Sequence, residues 1–136
     1  MSPERGLLDT STVILLGRVA DADKLPEDCV ISAVTLAELS VGPHVAGSES
    51  ERAARQAHLQ QAEADFEVIP FDAAAARAFG TVAASLLAAG RKPAARAYDA
   101  LIAATAIANA LPLFTCNPSD FVGIDRLDVR AVAIGS

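Results

Sequence analysis

Short apolar runs alternate with longer segments of helical periodicity along almost the whole of this chain. The first runs end at Asp9 and Ser32, and similar runs occupy 66–71 and the residues just before Asn117. Between them, apolar residues recur three or four positions apart, which is typical of helices with one buried face. Strands that alternate with helices form mainly parallel sheets. The sequence therefore predicts a three-layer α/β fold, a central, mainly parallel sheet of four to five strands with helices on both faces.

Turn and capping residues predict the bounds of these elements. Ser48 and Glu51 have the spacing of a capping box, and Asp72 is an expected N-cap. Gly42 and Gly90 are expected to end helices. The expected strands are 6–9, 29–32, 66–71, 112–116 and, as a possible fifth, 128–134. The first expected helix begins after residue 9, and the others cover 33–41, 49–65, 73–89 and 98–110.

We expect one domain of residues 1–136, because no repeat, linker or low-complexity segment divides the chain. Hydrophobic residues make up 52% of the sequence but aromatic residues only 4%, so Ala, Val, Leu and Ile must form the core. Charged residues or Gly interrupt the apolar stretches well short of a membrane span. The residues before Leu7 lack the apolar core of a signal peptide. The expected location is therefore the cytoplasm, without membrane attachment.

Acidic residues lie where the expected strands lead into helices. Asp9 ends the first strand, Glu38 lies in the helix after the second, and Asp99 stands at the head of an apolar helix. Asn117 and Asp120 follow the fourth strand. In parallel α/β sheets the functional crevice lies at the carboxyl ends of the strands. We therefore expect these side chains to converge at one crevice.

Each acid also has a purely structural explanation. Asp9 and Asp99 are possible N-caps, and Glu38 is a possible last member of a capping box that begins at Thr35. Taken together, however, convergent carboxylates repel one another unless a cation is bound. Their hard oxygen ligands suit Mg²⁺ or Mn²⁺. The set therefore predicts a metal site, although any single member is equally well explained as a cap.

Other kinds of catalytic site lack their motifs. The sequence contains no phosphate-binding GxGxxG or GxxxxGK[ST] loop and no GxSxG serine context. His44 and His58 lack the spacing of a metal site. A phosphatase of the haloacid dehalogenase type would need an Asp at the position of Ser11. The acidic cluster therefore has no competitor as a candidate site.

Four segments of the chain resemble motifs of the PIN domain family, in the family's order. The segments are LLDTS from residue 7, SAVTLAEL from residue 32, YDALIAATA from residue 98 and LFTCNPSDF from residue 113. The resemblance covers nearly the whole chain. The order, spacing and total length are similar to those of VapC toxins from bacterial toxin–antitoxin pairs.

This resemblance implies an endoribonuclease with a PIN-like fold that cuts RNA using Mg²⁺, with Mn²⁺ as a substitute. It implies that Asp9, Glu38 and Asp99 bind the metal and that Asn117 or Asp120 is the fourth ligand. It also places Asp120 among the catalytic residues. It further implies a homodimer and a small VapB-type antitoxin protein that blocks the acidic site.

The formal net charge of −6 counts against broad electrostatic binding to nucleic acid. Basic residues just before Asp99 answer this objection if they line the crevice, although a solvated loop explains them equally well. With few aromatic residues for base stacking, we expect specificity for the shape of a structured RNA. The residues expected to contact RNA phosphate are Arg91, Lys92 and Arg96. The hydroxyls expected to contact either the metal-binding carboxylates or the substrate are those of Thr10, Ser11 and Thr115. Ordinary helix capping is the alternative explanation of these three hydroxyls.

The expected reaction is phosphodiester hydrolysis by metal-activated water. A metal-dependent DNA nuclease or phosphatase would use the same residues, so the sequence leaves both open. A catalytically silent PIN-like binding module is a further alternative, but a pure binding surface does not need mutually repelling acids. An exposed apolar groove near helices 33–41 and 49–65 would support antitoxin binding.

Overall fold

The computed structural model describes residues 4–135, which form five strands and five α-helices. The strands are β1 (Arg5–Leu8), β2 (Asp28–Ser32), β3 (Glu67–Ile69), β4 (Leu113–Thr115) and β5 (Val129–Ala131). The α-helices are α1 (Thr10–Ile14), α2 (Ala33–Val41), α3 (Glu49–Asp65), α4 (Ala73–Ala88) and α5 (Ala97–Ala108). Short 3-10 turns at Pro93–Arg96 and Pro118–Phe121 lead into α5 and follow β4.

The strands form one parallel sheet in the order β3-β2-β1-β4-β5. Strand β1 is central, and its Leu8 pairs with Ile31 of β2 and Phe114 of β4. The carboxyl ends of β1, β2 and β4 therefore lie side by side at one edge. The five-stranded parallel sheet with helices on both faces confirms the predicted fold class.

Alternating residues of the strands build a core on each face of the sheet. Leu7, Val30 and Leu113 pack against α4 and α5 on one face. Leu8 and Ile31 pack against α1, α2 and α3 on the other. Fully burying such a side chain stabilises the fold by roughly 1.5–3 kcal/mol. The two cores therefore fix the register of β1, because a shift by one residue would exchange its two faces.

A glycine allows close packing at the start of β1. A Cβ atom at Gly6 would lie 2.7 Å from Cδ1 of Phe114 and 2.8 Å from Cγ of Pro26. Real Cβ atoms do not approach carbon this closely, so only Gly leaves room for the ring across β1. By contrast, a Cβ at Gly17 would meet no atom within 4 Å.

The bounds of most elements agree with the sequence predictions to within a few residues. Helix α2 covers 33–41 as predicted. Helix α1 ends at Ile14, earlier than its apolar pattern indicates, because Thr, Ser, Val and Ile are weak helix formers. Strand β3 stops at Ile69, since the following Pro70 has no N–H to donate to a neighbouring strand. These local effects shorten elements without changing the topology.

No helix within 4–135 is long and apolar enough to cross a membrane. The N-terminal segment considered for a signal peptide begins in 1–3, outside the described residues. The assignment of residues 1–136 to one domain stays a prediction.

Candidate active site

Asp9 follows β1 directly and caps the first turn of α1. It is 3% exposed, and its carboxylate is surrounded by hydrogen-bond donors. It accepts from the backbone N–H of Thr12 at 3.1 Å and from the hydroxyl of Thr115 at 2.6 Å. The hydroxyls of Thr12 and Ser11 donate to it as well. The explanation of Asp9 as an N-cap is thus correct. The hydrogen bond from Thr115 of β4 also fixes its carboxylate at the point where β1 and β4 end.

Thr12 supports the site and was not identified from the sequence. It is fully buried; its hydroxyl donates to Asp9 and accepts from the backbone N–H of Cys116 at 3.0 Å. This hydroxyl therefore joins α1 to the chain just after β4. The place of Thr12 three residues after the N-cap Asp9 predicts the hydrogen bond from the Thr12 backbone N–H to the Asp9 carboxylate. The contact with Cys116 has no signal in the local sequence.

Glu38 lies on α2 and faces the same edge of the sheet. The Thr10 hydroxyl donates to its Oε1 at 2.7 Å, and the Thr35 hydroxyl lies 3.0 Å from that of Thr10. Ser32 caps α2 by accepting from the Thr35 N–H. The capping-box explanation of Glu38 is therefore wrong, and its carboxylate is free to act at the crevice.

Asp99 lies inside the first turn of α5, whose N-cap is Arg96, so the N-cap explanation of Asp99 is also wrong. Burial, followed by the negative charges of Asp120, Asp9 and Glu38, raises the pKa of Asp99 from 3.8 to about 6. The Arg96 guanidinium opposes this shift only in part. The structure thus brings three carboxylates from distant segments of the chain within electrostatic reach of Asp99.

Arg96 lies between two of these acids. Its Nη1 donates to Asp120 at 2.6 Å and lies 4.0 Å from Asp99. Arg96, Asp99 and Glu38 line an open cavity of about 460 Å³, with Tyr98 on its rim. The cavity thus combines carboxylates with one cation, an arrangement suited to a ligand that carries both phosphate and a bound metal.

Other expected site residues lie farther from this cavity. The Nδ2 group of Asn117 donates to Ser11 at 3.1 Å, so Asn117 reaches Asp9 only through that hydroxyl. Arg91 donates to the backbone carbonyl of Val122 at 2.5 Å, and Lys92 is exposed at the start of the Pro93–Arg96 turn. Arg91 and Lys92 are not among the residues that line the cavity. Their contact with RNA stays a prediction.

The donor chemistry of the cluster fits a hydrated Mg²⁺. Within 4–135, no three Asp, Glu, His or Cys side chains are already close enough to enclose an ion. Mg²⁺ does not require such enclosure, because it keeps several waters and binds directly through one or two carboxylates. Burial is the largest cause of the raised pKa of Asp99, and a cation among these oxygens would offset the repulsion from the neighbouring carboxylates that adds to it. The residues present therefore fit a divalent ion held partly through water.

A groove of about 480 Å³ lies between α2 and α3, next to Glu38. Leu39, Ala54 and Ile14 contribute apolar surface to it, and Ile14 is 55% exposed. A groove near these two helices is the feature named above as support for antitoxin binding. An amphipathic segment of another chain bound there would pass beside the acidic cluster.

Comparisons with known proteins point in one direction. The model of the PIN domain family matches residues 7–127. Ribonuclease VapC5 of Mycobacterium tuberculosis is 39% identical over 126 residues, which cover 91% of this chain and 90% of that protein. Ribonuclease VapC1 of Rickettsia felis is 28% identical over 130 residues, covering 93% of this chain and 96% of that protein.

Solved structures give the same result for the fold. The crystal structure of VapBC-5, a member of the VapBC family of toxin–antitoxin systems from Mycobacterium tuberculosis, superposes with a TM-score of 0.82. That match has 36% sequence identity and covers 97% of this chain and 100% of the compared chain.

Proposed function

This chain belongs to the PIN domain family, and on that premise we propose that it is a metal-dependent endoribonuclease, the toxin of a type II toxin–antitoxin pair. The observation that carries the proposal is the convergence of Asp9, Glu38, Asp99 and Asp120 at the carboxyl edge of the sheet. The similarity to VapC ribonucleases over more than nine tenths of the chain supports the choice of RNA as substrate. Such an enzyme would act in the cytoplasm.

We propose that Asp9, Glu38 and Asp99 hold Mg²⁺, with Mn²⁺ as a substitute. A bound divalent ion supplies an activated water and neutralises charge on the phosphate. For the fourth place Asp120 is favoured over Asn117, because Asp120 is charged and interacts electrostatically with Asp99. The Asn117 amide is directed to Ser11 instead. Asn117 thus supports the hydrogen-bonded surroundings of Asp9.

The protein's own contribution to the reaction is positioning. The hydroxyls of Thr12 and Thr115 hold the Asp9 carboxylate in one orientation, and Thr10 does the same for Glu38. Fixed acceptors of this kind lower the cost of arranging charge in the transition state. Arg96 is placed to bind a non-bridging phosphate oxygen once RNA enters the cavity. Arg96, now paired with Asp120, is the cation that we propose to exchange this partner for RNA phosphate despite the net charge of −6.

We further propose that a VapB-type antitoxin binds the groove between α2 and α3 and covers the acidic cluster. The groove combines apolar surface with direct access to Glu38. The similarity to a VapBC-5 crystal structure supports a partner of this kind. A homodimer remains part of the proposal by family resemblance.

Cleavage of total RNA with Mg²⁺, with EDTA, and by the Asp9→Asn variant tests the proposed activity. Asp72→Asn is the matched control, because it makes the same change at an N-cap of α4 outside the cluster. Wild type and control should cleave RNA, whereas EDTA and Asp9→Asn should abolish cleavage and toxicity to growing cells. Unchanged cleavage by Asp9→Asn would exclude the catalytic assignment. Activity on DNA or small phosphoesters, but not RNA, would indicate another phosphodiesterase or phosphatase on this scaffold.

A further inference from the structure

One aromatic ring stands exposed beside the acidic cluster. Tyr98 is 57% exposed, whereas all five phenylalanines are buried or half-buried. It precedes Asp99 in the first turn of α5 and lines the same cavity. An aromatic side chain left in water at the rim of a polar site contributes little to the fold. Its position therefore leaves the ring accessible to a ligand in this cavity.

The surroundings of Tyr98 leave room against its ring. Ala94, Ala95 and Ala97, whose side chains are small, line the same cavity. The cavity of about 460 Å³ lies within the range of roughly 300–1,000 Å³ that holds small ligands. Among the hydrogen bonds within residues 4–135, none involves the hydroxyl of Tyr98. The ring is thus not committed to another part of the described chain.

The charged groups beside the ring fix which ligand would suit it. Arg96 provides a cation for a phosphate, and the carboxylates of Glu38 and Asp99 line the same cavity. A nucleotide unit has a phosphate next to a flat base. A phosphate near Arg96 therefore places a neighbouring base within reach of the Tyr98 ring.

We infer that Tyr98 stacks on an unpaired base of RNA adjacent to the phosphate that is cleaved, an inference that rests on the proposed function. Stacking on an aromatic ring tolerates every base, because each has a π-face. Tyr98 then holds the strand in register with the carboxylates rather than reading its sequence. The bound RNA is single-stranded at that position, for instance in a loop. The expectation that the protein recognises the shape of a structured RNA is thereby refined, because one unpaired nucleotide of that RNA is assigned to the Tyr98 ring.

Binding without cleavage provides the test. In the Asp9→Asn background, fluorescence anisotropy with Mg²⁺ measures binding of a labelled twelve-nucleotide oligoadenylate and of an abasic oligomer of equal length. Tyr98→Ala should weaken binding of the oligoadenylate by about five- to hundredfold and leave that of the abasic oligomer unchanged. Tyr98→Phe should bind within about twofold of the parent, since it retains the ring. Leu87→Ala, another exposed apolar position, is the matched control.

Equal binding of the oligoadenylate by Tyr98→Ala and the parent would overturn the inference. So would an equal loss in Tyr98→Phe, because the hydroxyl and not the ring would then be the contact. A change of oligomeric state in Tyr98→Ala, without a change in RNA binding, would assign the ring to a protein interface instead. With the otherwise unmodified protein, Tyr98→Ala should lower kcat/KM for an RNA oligonucleotide bearing a mapped cleavage site, whereas Tyr98→Phe should retain it within about twofold. If no RNA is cleaved at all, the proposed function fails, while the anisotropy result still decides the stacking.

Discussion

Removing the charge of Asp99 should abolish activity and yet make the metal-free protein more stable. The pKa of this carboxyl is about 6 in the folded protein and 3.8 ordinarily. At about 1.36 kcal/mol per pKa unit, that difference corresponds to at most about 3 kcal/mol. Because the side chain is 31% exposed and faces an open cavity, solvent screening reduces the effect to about 1–2 kcal/mol. Asp99→Asn should therefore raise the free energy of unfolding by about that amount at pH 7.5.

The sign of the pH dependence follows from the same shift. The folded-state pKa lies above the ordinary value, so the folded protein binds this proton more tightly than the unfolded chain does. The wild type without metal should gain stability as the pH falls through about 6 towards 4, and the gain should be smaller in Asp99→Asn. Urea denaturation in EDTA at several pH values measures both effects.

Asp72→Asn is again the control, because Asp and Asn cap helices about equally well. It should leave the free energy of unfolding nearly unchanged at pH 7.5. A lower stability of Asp99→Asn, or a pH dependence identical to that of the wild type, would refute the reasoning. In either case the burial of the Asp99 charge among other carboxylates would not be a cost carried by the fold.

Three further substitutions follow from the structure. Thr12→Val removes the hydroxyl between α1 and the end of β4, so urea denaturation should show a loss of about 1–3 kcal/mol, with a smaller loss for Thr12→Ser. Arg96→Gln should weaken RNA binding and make the slope of log K against log salt concentration shallower by about 0.7, whereas Arg52→Gln on α3 should not. Gly6→Ala should cost about 1–3 kcal/mol through overpacking, and a comparable loss in Gly17→Ala, where no neighbour is displaced, would contradict this.

The topology of the sheet and the place of the site followed from local sequence patterns. Apolar runs separated by helical segments restrict the chain to a parallel sheet, and such a sheet brings the carboxyl ends of β1, β2 and β4 together. Ser32 and Gly42 mark the two ends of α2, so its bounds were predictable. The direction in which Asp9 and Glu38 point then follows from where the strands and helices begin.

Contacts between side chains distant in sequence were not predictable in the same way. Thr12 bonds to Cys116 across 104 positions of the chain, and no local pattern encodes that separation. Arg91 and Arg96 are equally plausible phosphate contacts when only the sequence is considered. In the structure, Arg96 at the end of the Pro93–Arg96 turn lines the cavity, and Arg91 does not. The capping explanations of Glu38 and Asp99 failed because α2 begins after Ser32 and α5 begins after Arg96, so both acids lie inside their helices.

The order in which the ribosome synthesises this chain determines when the acidic cluster can first assemble and RNA cleavage can begin. Asp9 is synthesised early, but its partner Thr115 and the fourth acid, Asp120, emerge near the end. Until β4 is made, β1 has a free edge and the carboxylate of Asp9 lacks the hydroxyl that orients it. We therefore expect a chain released prematurely before Leu113 to lack the assembled acidic cluster, so that translation errors of this kind should not liberate an active nuclease inside the cell.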